Sequence, residues 1–130
     1  MRVLADTHAL VWALLGDPRL SPAARAAMSI SATDQIALSS ISLVELAYLE
    51  EKQRLPAGIL ARVLASIAAP TGIMTEVSLD AEIVKTMIRV PRGEIPDMPD
   101  RIIAATALHL GVPVISRDAK IRASTITTIW

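Results

Sequence analysis

Two carboxylates in this sequence follow closely after short apolar runs. Asp6 comes immediately after Val3–Ala5, and Asp118 lies within three residues of the run 112–115. Such runs are typical of buried strands in a parallel sheet. Ligands in open α/β sheets bind beyond the carboxyl ends of the strands. We therefore expect both carboxylates to lie at the edge of the sheet where such a protein keeps its chemistry.

Three further acids stand near the beginnings of predicted helices. Glu45 is the only charge in the segment 41–49, and Asp97 and Asp100 lie where a proline-rich loop meets an apolar helix. An ionised carboxylate is very costly to bury without a partner. Glu45 in particular is therefore expected to face a cation in a cleft, unless it serves the helix itself.

Each acid also has a purely structural interpretation as a helix cap. Asp, Ser and Thr are preferred caps, and Asp is favoured at the positive end of the helix dipole. Ser42 and Glu45 have the spacing of a capping box, and Asp118 could cap a short helical turn from Ala119. The residues with such an alternative are Asp6, Thr7, Glu45, Asp97, Asp100 and Asp118.

Capping alone does not explain why these acids fall at one edge of the predicted sheet. Carboxylates gathered there repel each other unless a cation intervenes. All-oxygen ligands suit a hard ion such as Mg²⁺ or Mn²⁺. Such an ion lowers the pKa of a water and neutralises a leaving oxygen, as phosphodiester cleavage requires.

Other chemistries have little support in the sequence. There is no cysteine, and the five glycines show neither Walker nor Rossmann spacing. His8 and His109 lack metal-ligand spacing, and no histidine lies near Ser39, Ser40 or Ser42 in the sequence.

Strands that alternate with helices predict an α/β fold, with a mostly parallel central sheet flanked by helices. We expect a single domain over residues 1–130. The predicted strands cover 3–5, 36–38, 73–77, 112–115 and 125–130. The predicted helices cover 9–15, 22–28, 43–52, 58–69, 80–88 and 100–110.

Composition limits the setting and the partners. The absence of cysteine, of a signal-like N-terminus and of a long apolar stretch predicts a cytoplasmic protein with no membrane partner. Hydrophobic residues make up 52% of the chain but aromatic residues only 2%. A small aliphatic domain of this kind is expected to leave an apolar patch for a protein partner.

At these motifs the sequence resembles the PIN-domain ribonucleases of the VapC toxin type. Asp-Thr-His-Ala-Leu at 6–10, with Gly-Asp-Pro-Arg-Leu-Ser at 16–21 after it, resembles the first motif of that family. The segments 40–46, 99–107 and 116–121 resemble the later motifs of the family. The loop before Asp100 departs from the family pattern, because its usual His and aromatic residue are missing.

The resemblance implies a Rossmann-like PIN fold of three layers and a metal-dependent endoribonuclease that acts as a toxin. It further implies Mg²⁺ or Mn²⁺, an RNA substrate, a cognate antitoxin and a homodimer. By this analogy the principal metal-site and catalytic acids are Asp6, Glu45 and Asp100, and Asp118 completes the site through water or a second metal. Supporting or substrate-binding roles are assigned to Thr7, Ser39, Asp97, Arg101 and Arg117, with Asp97 as a cap or outer group.

Two other functions fit the same residues. One is a housekeeping PIN nuclease that processes RNA without an antitoxin, and the other is a catalytically weak PIN fold that serves as a binding module. Retention of all four acids argues against the binding module. A neighbouring reading frame for a DNA-binding antitoxin would separate a toxin from a housekeeping nuclease.

Overall fold

The computed structural model describes residues 1–29, 36–70 and 72–130. Its strands are β1 (Val3–Ala5), β2 (Ile36–Ser39), β3 (Met74–Val77), β4 (Val114–Ile115) and β5 (Thr128–Ile129). Its helices are α1 (Thr7–Leu15), α2 (Pro22–Met28), α3 (Ser40–Glu51), α4 (Ile59–Ala68), α5 (Ala81–Met87), α6 (Met98–Leu110) and α7 (Ala119–Ala123). None of the described helices is long and apolar enough to cross a membrane.

The strands form one sheet in the order β3-β2-β1-β4-β5, and every neighbouring pair is parallel. Leu4 in the central strand pairs with Ala37 on one side and Val114 on the other. Parallel neighbours need long crossover connections, which the helices supply. The strand order reverses beside β1, so the gap between β1 and β4 is the switch point where such sheets bind ligands.

Helices cover both faces of the sheet, which confirms the three-layer α/β fold. Side chains alternate along a strand, so Val3 and Ala5 pack on one face with residues of α1 to α4. Leu4 faces the other side and packs with residues of α5, α6 and α7. Strands β1, β2 and β4 are therefore buried on both sides, which explains why their sequences are continuous apolar runs, whereas the edge strands β3 and β5 are partly exposed.

Three helices begin earlier than the sequence predicts. Helix α1 begins at Thr7 rather than 9, α3 at Ser40 rather than 43, and α6 at Met98 rather than 100. In each case the capping residue is an upstream candidate, namely Asp6, Ser39 or Asp97. Both β4 and β5 are only two residues long, and the predicted strands over 112–115 and 125–130 were too long.

Candidate active site at the carboxyl edge of the sheet

Asp6 and Asp118 follow the two strands on either side of the switch point. Strands β1 and β4 are paired through Ala5 and Ile115, and the backbone N–H of Asp6 extends this pairing to the Ile115 carbonyl at 3.1 Å. The chain after β1 and the chain after β4 therefore leave the sheet side by side. This pairing is what brings two acids that are far apart in sequence to one place.

The buried Asp6 carboxylate both caps a helix and faces the site. Its Oδ1 accepts a hydrogen bond from the Ala9 N–H at 2.8 Å, which makes Asp6 the N-cap of α1. Its side chain also hydrogen-bonds Ser116. The Ser116 hydroxyl, in turn, accepts a bond from the Asp118 N–H at 3.1 Å. Ser116 is fully buried and links the two acids, a role that the sequence prediction missed.

Glu45 projects from the body of α3, so the capping-box interpretation was wrong. Ser39 is the N-cap of this helix, and its hydroxyl accepts from the Ile41 N–H. Ser42 lies inside the helix, fully buried, with its hydroxyl 2.9 Å from that of Thr7. The Thr7 hydroxyl donates to Glu45 Oε1 at 2.7 Å. Thr7 thus ties the start of α1 to the Glu45 carboxylate.

The other acids divide between capping and the site. Asp97 is the N-cap of α6, and its Oδ1 accepts from the Asp100 N–H at 3.0 Å. Asp100 itself lies in the first turn of α6 and caps nothing. Asp118 is the N-cap of α7, where it accepts from the N–H groups of Lys120 and Ile121 at 2.9 Å each.

All five acids line one open cavity of about 530 Å³. A histidine, a tryptophan and two arginines complete its wall. The full lining is Asp6, His8, Trp12, Arg19, Glu45, Asp97, Asp100, Arg117 and Asp118. Three of these carboxylates, Asp6, Asp97 and Asp118, are also helix caps, because their helices start at the edge of the sheet where the cavity opens.

Burial and mutual repulsion raise the pKa of three of these acids. Burial raises the pKa of Asp6, against the opposing effect of its bond to Ser116. Burial also raises the pKa of Glu45, although the Thr7 bond lowers it. For Asp100, burial together with the charge of Asp97 raises the pKa to about 7. Carboxylates whose charged form is disfavoured by burial and by neighbouring acids are common at functional sites.

The carboxylates of the cavity are suitable ligands for a hard divalent cation, but they are not already arranged around a single point. The five acids of the cavity offer carboxylate oxygens, the ligands that Mg²⁺ and Mn²⁺ prefer. Among residues 1–29, 36–70 and 72–130, however, no three His, Asp or Glu side chains form a preformed metal-binding group.

Three of the residues predicted to support the site, Thr7, Ser39 and Arg101, do not line the cavity, although Thr7 supports it through its bond to Glu45. Ser39 is used as the cap of α3. The Arg101 Nε donates to the Val90 carbonyl at 2.9 Å, so this side chain holds the loop before α6 and is not part of the cavity wall. Arg117 does line the cavity, and so do His8, Trp12 and Arg19, to which the sequence prediction gave no role in the site.

Comparison with known proteins agrees with this architecture. The PIN-domain family model matches residues 3–124. Ribonuclease VapC22 of Mycobacterium tuberculosis is 31% identical over 120 residues, which cover 92% of this chain and 89% of that protein.

Solved structures share the fold at lower identity. VapBC2 from Rickettsia felis, bound to a DNA fragment from their promoter, superposes with a TM-score of 0.71 and 17% identity over 98% of this chain and 97% of that one. A toxin–antitoxin complex from Klebsiella pneumoniae gives a TM-score of 0.65 and 22% identity over 93% and 91% of the two chains. The chain therefore belongs to the PIN-domain family and is of the VapC type, which confirms the resemblance seen in its motifs.

Proposed function

We propose that this protein is a metal-dependent endoribonuclease and the toxin of a toxin–antitoxin pair. The observation that carries the proposal is the convergence of four acids at the switch point of the sheet, in one open cavity. Membership of the PIN-domain family and the similarity to Ribonuclease VapC22 support RNA as the substrate.

In this proposal Asp6, Glu45, Asp100 and Asp118 hold Mg²⁺ or Mn²⁺. No preformed group of three acids exists among the described residues, so water would complete the coordination, as is usual for Mg²⁺. When bound, the ion supplies an activated water and charge compensation at the leaving oxygen.

The protein's own groups prepare the acids for this role. Thr7 donates to Glu45 Oε1 and so fixes which way that carboxylate turns. Ser116 binds the Asp6 side chain and the Asp118 backbone, so it sets the spacing of the two strand-end acids. Asp100 has a pKa of about 7 and therefore exchanges a proton near neutral pH, which it must release before it can act as a ligand.

The test is cleavage of total cellular RNA with Mg²⁺, with Mn²⁺ and with a chelator, mapping the cut ends. Glu45→Gln and Asp100→Asn are expected to lower the cleavage rate by about a hundredfold or more, since each removes a charge from the site. Glu51→Gln is the matched control, because Glu51 lies on the same helix but is exposed and outside the cavity. Full activity of both site variants, or undiminished activity in chelator, would refute the proposal.

The toxin role needs a separate experiment. Several structural neighbours were solved as toxin–antitoxin complexes, which supports an antitoxin as the partner. Expression of this chain alone should arrest growth, and co-expression of a neighbouring small reading frame should restore it. Cleavage of RNA without growth arrest, and with no such reading frame, would instead favour the housekeeping nuclease.

A further inference from the structure

Trp12 forms part of the cavity wall and is only 7% exposed. The guanidinium carbon of Arg19 lies 5.0 Å from the centre of its ring, and that of Arg117 lies 5.8 Å away. His8 and Trp130 approach the same ring, each with 5.7 Å between ring centres. Trp12 therefore has little free surface for a base to stack on, and serves instead as a support for two cations.

Of these two arginines, Arg117 makes fewer polar contacts within the protein. It is exposed, and within the part of the chain that the structure describes it makes no salt bridge and no side-chain hydrogen bond. This is notable in a cavity that holds five carboxylates. A guanidinium resting on an aromatic face keeps its N–H groups free to bind in its own plane.

Arg19 is held more firmly and has less to offer. Its Nε and Nη2 both bind the Asp17 carboxylate, at 3.1 and 2.8 Å, while its side chain remains 59% exposed. One edge of this guanidinium is thus occupied and its charge partly compensated. The remaining N–H groups face solvent at the rim of the cavity.

We propose that Arg117, assisted by Arg19, binds the phosphate backbone of the RNA strand that enters the cavity, with Trp12 as their positioning residue. This inference rests on the proposed function. A cavity lined by carboxylates repels the backbone of its own substrate, so the strand needs a positive contact beside them. Arginine suits phosphate because its planar fork matches the oxygens in pairs.

The test is the affinity for a labelled single-stranded RNA as a function of salt, measured by fluorescence anisotropy with Mg²⁺ present. The full-length chain carries Glu45→Gln throughout, so that the RNA stays intact. Arg117→Gln should reduce the slope of log affinity against log salt by ~0.7, a loss of roughly fivefold at ~0.1 M salt. Arg19→Gln should reduce the slope by less, because Asp17 already shares its charge.

Arg122→Gln is the matched control, because Arg122 is exposed on α7 and does not line the cavity. It should leave the slope unchanged. An equal effect of Arg117→Gln and Arg122→Gln would overturn the proposal. The proposal would also be overturned if Arg117→Gln changed the Mg²⁺ concentration at half-saturation of the site but not the RNA affinity. Arg117 would then serve to neutralise the acids rather than to bind RNA.

The role of Trp12 is tested by coupling rather than by simple loss. Trp12→Leu should weaken RNA binding when both arginines are present, and should have little further effect once both are Gln. Trp12→Phe keeps an aromatic face and should restore most of the affinity. An undiminished effect of Trp12→Leu in the absence of both arginines would overturn the positioning role.

The proposed function and this inference fail in different ways. A wild-type chain that does not cleave RNA, yet whose RNA affinity still depends on Arg117, would refute only the nuclease. A chain that cleaves RNA with an affinity indifferent to Arg117 and Arg19 would refute only the phosphate contact.

Discussion

Asp100 couples the protonation of the site to folding. In the unfolded chain this carboxyl has a pKa of 3.8, and in the metal-free folded protein burial and neighbouring acids raise the pKa to about 7. Between these values the folded protein holds a proton that the unfolded chain has released. The stabilisation from this group is therefore complete below about pH 4 and is lost as pH rises through about 7.

The first prediction concerns this pH dependence. The melting temperature of the protein in chelator should fall between about pH 4 and pH 7, the interval between the unfolded and folded pKa values of Asp100, and level off above it. Asp100→Asn should flatten the fall, because the amide does not titrate. A melting temperature that rises over this interval in both proteins would contradict the pKa argument.

The second prediction concerns metal. Asp100→Asn should raise the melting temperature of the metal-free protein, since it removes one of the repelling charges. It should also reduce the further rise produced by saturating Mg²⁺ or Mn²⁺. Helix capping does not confuse this result, because Asp97 and not Asp100 caps α6. Equal metal-induced shifts in the two proteins would mean that Asp100 is not a ligand.

At the scale of residues, the sequence predicted which acids meet and that Thr7 supports them, but it did not predict the role of Ser116. Asp6 and Asp118 were found because an apolar run marks each strand end. Ser116 was missed, because a buried serine between a strand and an acid looks like any turn residue. Trp12 and Arg19 are seven positions apart in sequence, and nothing in that spacing indicates that the turn at Gly16 folds one onto the other.

Among the elements, the junction between α4 and β3 depends on Gly72. A Cβ placed on this residue would lie 2.0 Å from the Ser66 carbonyl oxygen, a contact with backbone that a rotamer change cannot relieve. The third prediction is that Gly72→Ala destabilises the fold by about 2 kcal/mol or more, measured by urea unfolding. Gly93→Ala is the control, because nothing lies within 4 Å of its Cβ position, and a comparable loss there would contradict the steric explanation.

The surface of α3 and α4 is where we expect an amphipathic antitoxin segment to dock. From the sequence, the apolar residues of these two helices are candidates for this surface, and the structure assigns two of them, Leu46 and Val63, to the core instead. Leu64 is 46% exposed, and Leu49 and Leu60 are half-buried. These three remain candidates for a helix-in-groove contact.

The fourth prediction separates these two groups. Leu64→Asp should abolish antitoxin binding in a pull-down while leaving the melting temperature nearly unchanged. Leu46→Ala should instead cost about 2–5 kcal/mol of stability, as large-to-small changes in a core do. An antitoxin that binds Leu64→Asp normally would place its interface on another face.

Element boundaries were the least predictable feature, for a reason visible at α3. Ser39, Ser40 and Ser42 are all acceptable caps, and only tertiary packing selects Ser39. Ser42 is drawn inside the helix because its hydroxyl finds a partner in Thr7, which lies on another helix. A contact between residues so far apart in sequence cannot be predicted from the local sequence around Ser42.

For the whole molecule, the layer order followed from the sequence because alternating strands and helices admit few arrangements. Burial of β1, β2 and β4 on both faces explains their apolar runs, which are typical of a parallel sheet covered by helices. The convergence of the acids then followed from geometry, since the carboxyl ends of parallel strands share one edge. The lengths of β4 and β5 did not, because the N–H groups of Val112 and Ile126 donate to Ala107 and Ser124 in the chain just before each strand rather than to a neighbouring strand.

The fifth prediction concerns assembly. A homodimer was expected from the family resemblance, and large apolar side chains on the α5–α6 side are left exposed, with Ile88 at 74% and Met98 at 64%. Sedimentation should detect a dimer that Ile88→Glu dissociates into folded monomers. Leu15→Glu, at an exposed leucine on α1, is the control. A wild-type protein that stays monomeric at high concentration would contradict the expectation.

Asp6 both caps α1 and lines the cavity, which has a practical consequence for preparing an inactive form of this protein as a reagent. Alanine at this position would delete the site carboxylate and the cap of α1 together, so a dead sample could not be distinguished from a misfolded one. Asparagine keeps an oxygen for the Ala9 N–H and removes only the charge. An Asp6→Asn protein is therefore the form to use for trapping RNA in crystals or for raising antibodies against the native surface.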